Sequence, residues 1–146
     1  MYTEVLVFAC NWDGWSCIDT ASNLGIQYPA SVRIVKVSCI SRVHAGLILK
    51  AFEFGADGVM LLGCEQGKCC FRTNNDYIVN EYEKARSILQ MLGIWKDRLV
   101  LVQLPAFDGH EFVRRLASLI ADVEQISASK RAKIADSSPV QNVVVS

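Results

Sequence analysis

Six cysteines are the residues of this chain best suited to chemistry. They are Cys10, Cys17, Cys39, Cys64, Cys69 and Cys70. Six thiols in 146 residues fall below the roughly 8–10% that marks a small disulfide scaffold. Met1 leads at once into a strand-like run containing Glu4, without the basic flank and cleavage site of a secretory signal. We therefore expect a cytoplasmic protein, in which several thiols point to metal or redox chemistry.

The charge and motif content exclude several functions. Fifteen Lys and Arg balance fifteen Asp and Glu, and no basic stripe is visible, so a nucleic-acid partner is not expected. No apolar run approaches the roughly 20 residues that span a bilayer, so no membrane span is predicted. The chain also lacks a nucleophile elbow, a dinucleotide-binding glycine motif and a Walker loop. We therefore expect a chain that performs no catalysis by itself.

The elements that must position the cysteines follow from hydrophobic periodicity. Short β-rich runs alternate with helical patterns, which is typical of βαβ units around a parallel sheet. The predicted strands are residues 4–9, 33–38, 58–62 and 99–104, and the predicted helices are residues 16–24, 43–54, 75–92 and a last one capped by Asp108. This order predicts an α/β fold, a three-layer α-β-α sandwich with a mainly parallel sheet of about four strands, flavodoxin-like in outline.

The composition divides the chain into a domain and a tail. Residues 1–126 are predicted to form the α/β domain, with Gly55 and Gly93 ending the second and third helices. From residue 127 onward Ser, Lys, Asp and Pro dominate, and the last residues include Val143, Val144 and Val145. We expect residues 127–146 to be a tail that is either flexible or ordered by a partner chain.

The predicted sheet places most of the cysteines at one edge. Cys10, Cys39 and Cys64 follow the first three strands, and Cys69 lies in the loop after the third. Ligands of an open parallel sheet bind outside the carboxyl ends of its strands. These four thiols are therefore the candidate metal ligands, either for zinc or for an iron–sulfur cluster.

The remaining candidates have simpler interpretations. Cys17 falls on the apolar face of the first helix and is expected to pack there. Cys70 is expected outside the ligand set, because two adjacent residues rarely direct both side chains at one ion. Trp12 and Trp15 lie in the loop at the same edge, where they would shield a cofactor, contact a partner or pack against the end of the sheet. The two histidines are expected at surface or helix-cap positions.

Several segments together resemble a known family over roughly residues 4–125. They are Phe8-Ala9-Cys10-Asn11-Trp12, Gln27-Tyr28-Pro29 followed by Val32-Arg33-Ile34, Cys39 with Ser41-Arg42-Val43, Ile48-Leu49-Lys50-Ala51-Phe52, Gly55-Ala56-Asp57-Gly58-Val59, and the loop from Gly63-Cys64 to Cys69. In this ordered combination the chain resembles the delta subunit of methyl-viologen-reducing hydrogenase.

The resemblance implies a non-catalytic electron-transfer subunit with one [2Fe–2S] cluster. It implies that Cys10, Cys39, Cys64 and Cys69 bind the cluster. The implied partners are a hydrogenase or formate dehydrogenase, as electron source, and the flavin subunit of a heterodisulfide-reductase-type complex. Many relatives carry further cysteines where this chain has Ala9 and Asp13. If the family's cluster uses either position, Cys17 or Cys70 must compensate.

Two alternatives remain open at the level of the sequence. A zinc-stabilised docking module without redox activity would use the same four thiols. A thiol–disulfide protein would instead use the adjacent Cys69 and Cys70.

Overall fold

The computed structural model describes residues 3–28, 31–65 and 76–136, with side chains up to residue 126. The strands are β1 (Val5–Cys10), β2 (Val32–Val37), β3 (Gly58–Cys64) and β4 (Leu99–Leu104). The α-helices are α1 (Asp13–Asn23), α2 (Ala45–Glu53), α3 (Asp76–Met91) and α4 (Gly109–Asp136), and two 3-10 helices cover Ile40–Arg42 and Lys96–Arg98.

The four strands form one parallel sheet in the order β2-β1-β3-β4. Val5 of β1 pairs with Val32 on one side and with Gly58 on the other. Every residue of β3 is buried, as its continuous apolar sequence requires of a strand covered on both faces. From β1 the chain passes to β2 and then crosses back to β3, on the other side of β1. The direction in which successive strands are added therefore reverses between β1 and β3.

Helices cover both faces of the sheet. α1 packs against α4 on one face, and α2 packs against α3 on the other. The first core includes Ala9, Leu62 and Phe112, and the second includes Phe8, Leu61 and Ile78. Neighbouring residues of β1 and β3 thus point into opposite cores, as the twofold period of a strand dictates. The predicted α/β three-layer sandwich is confirmed.

β1 and β3 extend further than the sequence predicted, and β2 is shifted by one residue, to Val32–Val37 from the predicted 33–38. β1 includes Cys10 and β3 extends to Cys64, whereas the prediction ended them at residues 9 and 62. Both cysteines are buried like the apolar residues before them, at 2% and 4% exposure. A cysteine in this setting behaves as a small apolar side chain and continues the strand.

The start of α1 also differs from the prediction. The helix begins at Asp13 rather than at residue 16, so Ser16 lies inside it. The Ser16 hydroxyl donates to the Asp13 carbonyl (2.7 Å) and accepts from the Phe107 amide (3.0 Å). This side chain therefore ties the first turn of α1 to the loop after β4.

Predicted helix ends are confirmed at three positions. Gly55 and Gly93 follow α2 and α3 with φ of 103° and 78°, a backbone conformation that glycine adopts at little cost. The Asp108 carboxylate accepts from the Glu111 amide at 3.2 Å, which caps α4.

The last helix reaches the opposite end of the sheet. A Cβ built on Gly58, the first residue of β3, would lie 3.1 Å from a methyl of Val123, so α4 passes the amino ends of the strands here. Its backbone continues to Asp136, into the segment predicted as a tail, and residues 137–146 lie outside the described part. The domain boundary at residue 126 stays a prediction. No helix of the described residues has the length and apolar character needed to cross a membrane.

Candidate metal centre

Two of the candidate thiols meet at the carboxyl edge of the sheet. Cys10 ends β1 and Cys64 ends β3, and these two strands are neighbours at the reversal of the strand order. Their Sγ atoms lie 3.7 Å apart, and both residues are buried. Adjacent parallel strands thus bring together two residues that are 54 positions apart in the chain.

The separation of the two sulfurs fits two ligands of one metal ion. For a tetrahedral ion with metal–sulfur bonds of about 2.3 Å, two thiolates lie about 3.8 Å apart. The 3.7 Å between Cys10 and Cys64 matches this spacing. Thiolate pairs of this kind suit both zinc and the iron atoms of an iron–sulfur cluster.

The first amides of α1 point at these two sulfurs. The Gly14 N–H donates to Cys10 Sγ at 3.1 Å, and the backbone of Asp13 hydrogen bonds to the Cys64 thiol. The first N–H groups of a helix have no acceptor within the helix, and the helix start carries partial positive charge. Both hydrogen bonds strengthen when the sulfur is negatively charged, as it is in a metal-bound thiolate.

Gly14 permits this close approach. A Cβ at this position would lie 2.8 Å from the Leu62 carbonyl oxygen and 3.1 Å from Cys10 Sγ. The first distance is shorter than any normal contact with a backbone atom, so any side chain would push α1 away from β3. Gly14 therefore keeps the helix start within hydrogen-bonding distance of the sulfurs.

The metal-free thiol of Cys64 holds its proton. Burial raises the pKa of Cys64 above its ordinary value, the Asp13 amide lowers it by a smaller amount, and the nearby Cys10 raises it further. The Cys64 thiol is therefore neutral near pH 7. A bound metal ion would displace its proton and supply the positive charge that a thiolate needs at this buried position.

Cys39 approaches the same edge from β2. It caps the 3-10 helix Ile40–Arg42 and is 6% exposed, and its sulfur accepts from the Ser41 hydroxyl at 3.1 Å. This 3-10 helix packs on β1 and β3. The contact requires Gly63, because a Cβ there would lie 2.7 Å from a methyl of Ile40. Cys39 thus belongs to a segment fixed directly beside Cys64.

The structure brings together part of the predicted ligand set. Within residues 3–28, 31–65 and 76–136, no three His, Cys, Asp or Glu side chains cluster closely enough to hold a metal ion. Cys10 and Cys64 are the close pair, and Cys39 lies on the adjoining segment. Cys69 and Cys70 fall in residues 66–75, outside the described part, so their roles stay predictions.

Cys17 lies in the core, as the sequence predicted. It is fully buried between α1 and α4, and its thiol donates to the Pro105 carbonyl at 3.2 Å. Burial is the main cause that raises the pKa of Cys17 to about 11, while an amide hydrogen bond from Asp108 acts in the opposite direction. The thiol is neutral and already paired with backbone groups on α4's side of the sheet.

The aromatic residues near the edge divide into packed and exposed ones. Trp15 packs partly against the first core, with Lys36 Nζ 4.3 Å from the ring centroid, so it takes the packing role. Trp12 is 49% exposed and Phe107 is 72% exposed, and both flank the first turn of α1. Phe107 has a φ of 67°, which is rare for an aromatic residue. His44 accepts from the Leu47 amide and caps α2, as expected for a cap-region histidine.

The sequence did not predict the packing role of Gly14 and Gly63 or the contact of Ser41 with Cys39. Gly14 and Gly63 provide the close contacts, and Ser41 contacts Cys39. The available signal was positional, because each glycine lies within four residues of a candidate ligand. Only the packing of α1 and of the 3-10 helix shows why a side chain is excluded there.

Comparison with known proteins gives a consistent set of relatives. Residues 5–127 match the family described as the delta subunit of methyl-viologen-reducing hydrogenase. The iron–sulfur subunit of the F420-non-reducing hydrogenase of Methanocaldococcus jannaschii is 33% identical over 122 residues, which covers 84% of this chain and 91% of the relative. The corresponding protein of Methanococcus voltae is 37% identical over 109 residues, 75% of this chain and 76% of the relative.

A third relative is a much longer protein. It belongs to the ferredoxin:CoB-CoM heterodisulfide reductase of Methanosarcina mazei and is 27% identical over 122 residues, which is 84% of this chain and 15% of that protein. A segment similar to this chain therefore forms a small part of that longer protein. With the α/β fold and the cysteine edge in place, the match over residues 5–127 shows that this chain belongs to the family of the delta subunit of methyl-viologen-reducing hydrogenase.

Proposed function

We propose that this chain is an electron-transfer subunit that carries one [2Fe–2S] cluster at the carboxyl edge of its sheet. The observation that carries the proposal is the buried pair Cys10 and Cys64, whose sulfurs lie 3.7 Å apart under the amides of α1. The names of the relatives, iron–sulfur subunits of hydrogenases, support an iron-containing centre. The cluster type is the part of the proposal that goes beyond those names.

The proposed ligands are Cys10, Cys39, Cys64 and Cys69. Each iron of a [2Fe–2S] cluster takes two protein ligands, and the spacing of Cys10 and Cys64 supports their binding to the same iron. Cys39 and Cys69 are then the ligands of the other iron. When bound, the cluster supplies a site that accepts and returns one electron.

The chain's own residues prepare this site in three ways. Burial of Cys10 and Cys64 excludes water from two of the sulfurs. The amides of Asp13 and Gly14 donate to the same sulfurs, and the Ser41 hydroxyl donates to Cys39. Gly63 lets the segment with Cys39 pack beside Cys64. These features hold the thiolates in place without requiring any large movement when the electron arrives.

We propose that partners approach this same edge, because an electron must enter and leave close to the cluster. Trp12 and Phe107 are large apolar side chains exposed beside it, and such residues are typical of the centres of protein interfaces. The partners are a hydrogenase or formate dehydrogenase on one side and the flavin subunit of a heterodisulfide-reductase-type complex on the other. The relative in which this domain forms part of a heterodisulfide reductase chain supports the second partner.

Metal and sulfide analysis tests the cofactor. The protein is purified without oxygen and reconstituted with iron and sulfide, and its iron, acid-labile sulfide and zinc are measured together with its electron paramagnetic resonance after reduction. We expect equal amounts of iron and sulfide, two of each per chain, and a spectrum of one unpaired electron. A colourless protein with one zinc and no reducible chromophore would instead establish the zinc-stabilised docking module.

Anaerobic co-purification tests the partners. The full chain is isolated from its own cells under mild conditions, and the copurifying chains are identified by mass spectrometry. Trp12→Ala and Phe107→Ala should reduce recovery of the partners while leaving the iron content unchanged. Undiminished recovery with both variants would place the docking surface elsewhere.

A further inference from the structure

We propose that Gly14 is a positioning residue that sets the reduction potential of the centre, because it brings the α1 amides to the sulfurs of Cys10 and Cys64. The inference rests on the proposed function, since it concerns the cluster that these thiolates would hold. Gly14 contacts the sulfur of Cys10 through its backbone amide.

The geometry shows a direct link between the helix and the pair of sulfurs. The Gly14 amide lies 3.1 Å from Cys10 Sγ, and the neighbouring Asp13 amide serves Cys64. Two consecutive amides of one helix start therefore reach two ligands on different strands. The packing of α1 on β3 fixes their position.

The absence of a side chain at Gly14 is the condition for this link. A Cβ would lie 2.8 Å from the Leu62 carbonyl oxygen of β3, and that strand is buried on both faces and cannot retreat. The helix start would have to move away from the sheet. Both amide–sulfur hydrogen bonds would lengthen together.

The direction of the effect follows from charge. Reduction adds one negative charge to the centre, and N–H donors at a helix N-terminus stabilise negative charge on sulfur. Hydrogen bonds to the sulfurs and burial are among the features that set the potentials of iron–sulfur proteins. The α1 amides therefore favour the reduced state, and their loss should lower the potential.

The test compares reduction potentials of reconstituted full-length proteins by spectroscopic redox titration. Gly14→Ala should disfavour reduction by about tenfold in the equilibrium constant, which is about 59 mV for a one-electron couple. Gly109→Ala is the matched control. A Cβ there would also crowd α1, at 2.6 Å from the Ala21 amide nitrogen, but its nearest atoms belong to Ala21 and Cys17 and not to Cys10 or Cys64. It should leave the potential unchanged.

A backbone variant keeps the test decisive if Gly14→Ala fails to fold. A synthetic segment of residues 1–16 can be ligated at Cys17, with glycolic acid in place of Gly14, so that an ester oxygen replaces the N–H without added bulk. The same replacement at Ser16, whose amide donates to the Trp12 carbonyl and not to sulfur, is the control. We expect a lower potential only for the first ester.

The outcomes separate the inference from the proposed function. A wild-type protein that binds no iron and sulfide would overturn both. A normal cluster in every variant, with the Gly14 ester at the wild-type potential, would overturn the role of Gly14 and leave the electron-transfer function standing.

Discussion

Three buried cysteines near α1 fall into two groups with different surroundings. Cys10 and Cys64 sit at the carboxyl edge of the sheet with their sulfurs 3.7 Å apart. Cys17 lies one turn inside α1, between the sheet and α4, and donates to the Pro105 carbonyl at 3.2 Å. All three are at most 4% exposed, so burial does not distinguish them.

What distinguishes them is the neighbour of each sulfur. A metal ion at Cys17 would have to displace a backbone carbonyl and an amide that are already paired with the thiol. An ion between Cys10 and Cys64 would displace only thiol protons and would keep the amide of Gly14. A buried cysteine is therefore best judged by what its sulfur faces, since packing and ligation both require burial.

The largest expected effect separates the two sets by metal content. Cys10→Ser and Cys64→Ser should each lose most of the iron after anaerobic reconstitution, because the iron that these two residues share would keep only one of its two protein thiolates. Cys17→Ser is the matched control and should keep wild-type iron and sulfide. Iron loss in the Cys17 variant together with full iron in the Cys10 variant would reverse our assignment.

A second prediction concerns Cys17 and the stability of the protein at alkaline pH. The pKa of Cys17 is raised from 9.0 to about 11 in the folded protein, so the unfolded chain loses this proton first. The contribution to stability is full below about pH 9 and is lost as the pH rises to about 11, by about 2–3 kcal/mol. Urea unfolding of the metal-free protein between about pH 8 and 11 should show this loss in wild type. Cys17→Ala should lack this loss. If the free energy of unfolding fell equally with pH in both proteins, the predicted titration of Cys17 would be contradicted.

A third prediction concerns the contact between α1 and α4. Gly109→Ala places a Cβ 2.6 Å from the Ala21 amide and 3.1 Å from the Cys17 carbonyl oxygen. The overpacking should lower the free energy of unfolding by about 1–3 kcal/mol, as measured by urea denaturation. The iron content should not change, because this contact lies on the packing side of α1. A parallel loss of iron would show that the two sides are not independent.

The smallest predicted effect is at the start of α4. Asp108→Ala removes the carboxylate that accepts from the Glu111 amide, which should cost about 1 kcal/mol of stability. Asp108→Asn should restore most of it, since an asparagine caps equally well. Thermal unfolding of the three proteins gives the comparison, and an Ala variant as stable as wild type would show that water replaces the cap.

Elements with strong local signals could be predicted from the sequence. β4 matches the predicted bounds at both ends, because an apolar run stops at Pro105. Gly55, Gly93 and Asp108 end or begin helices where expected, since each acts on its own few residues. The convergence of Cys10 and Cys64 also followed, because parallel strands end at a common edge.

Features that depend on the packing of distant segments could not be predicted. Ser16 is the predicted first residue of α1, but it lies inside the helix and its hydroxyl contacts the Phe107 amide, 91 residues away. The role of Gly14 depends on the distance from α1 to Leu62 in β3, which no local pattern encodes. β1 and β3 continue through Cys10 and Cys64, because packing against other elements buries both side chains, and no local pattern shows that burial.

The length of α4 provides an attachment point far from the cysteine edge. From Gly109 beside the carboxyl edge, 28 helical residues carry the chain about 42 Å along the helix axis. A label, surface tether or electrode linker attached at Asp136 would therefore sit at the far end of α4 from Cys10 and Cys64. Immobilisation through that end would leave the cysteine edge facing solution, where a soluble redox partner can reach it.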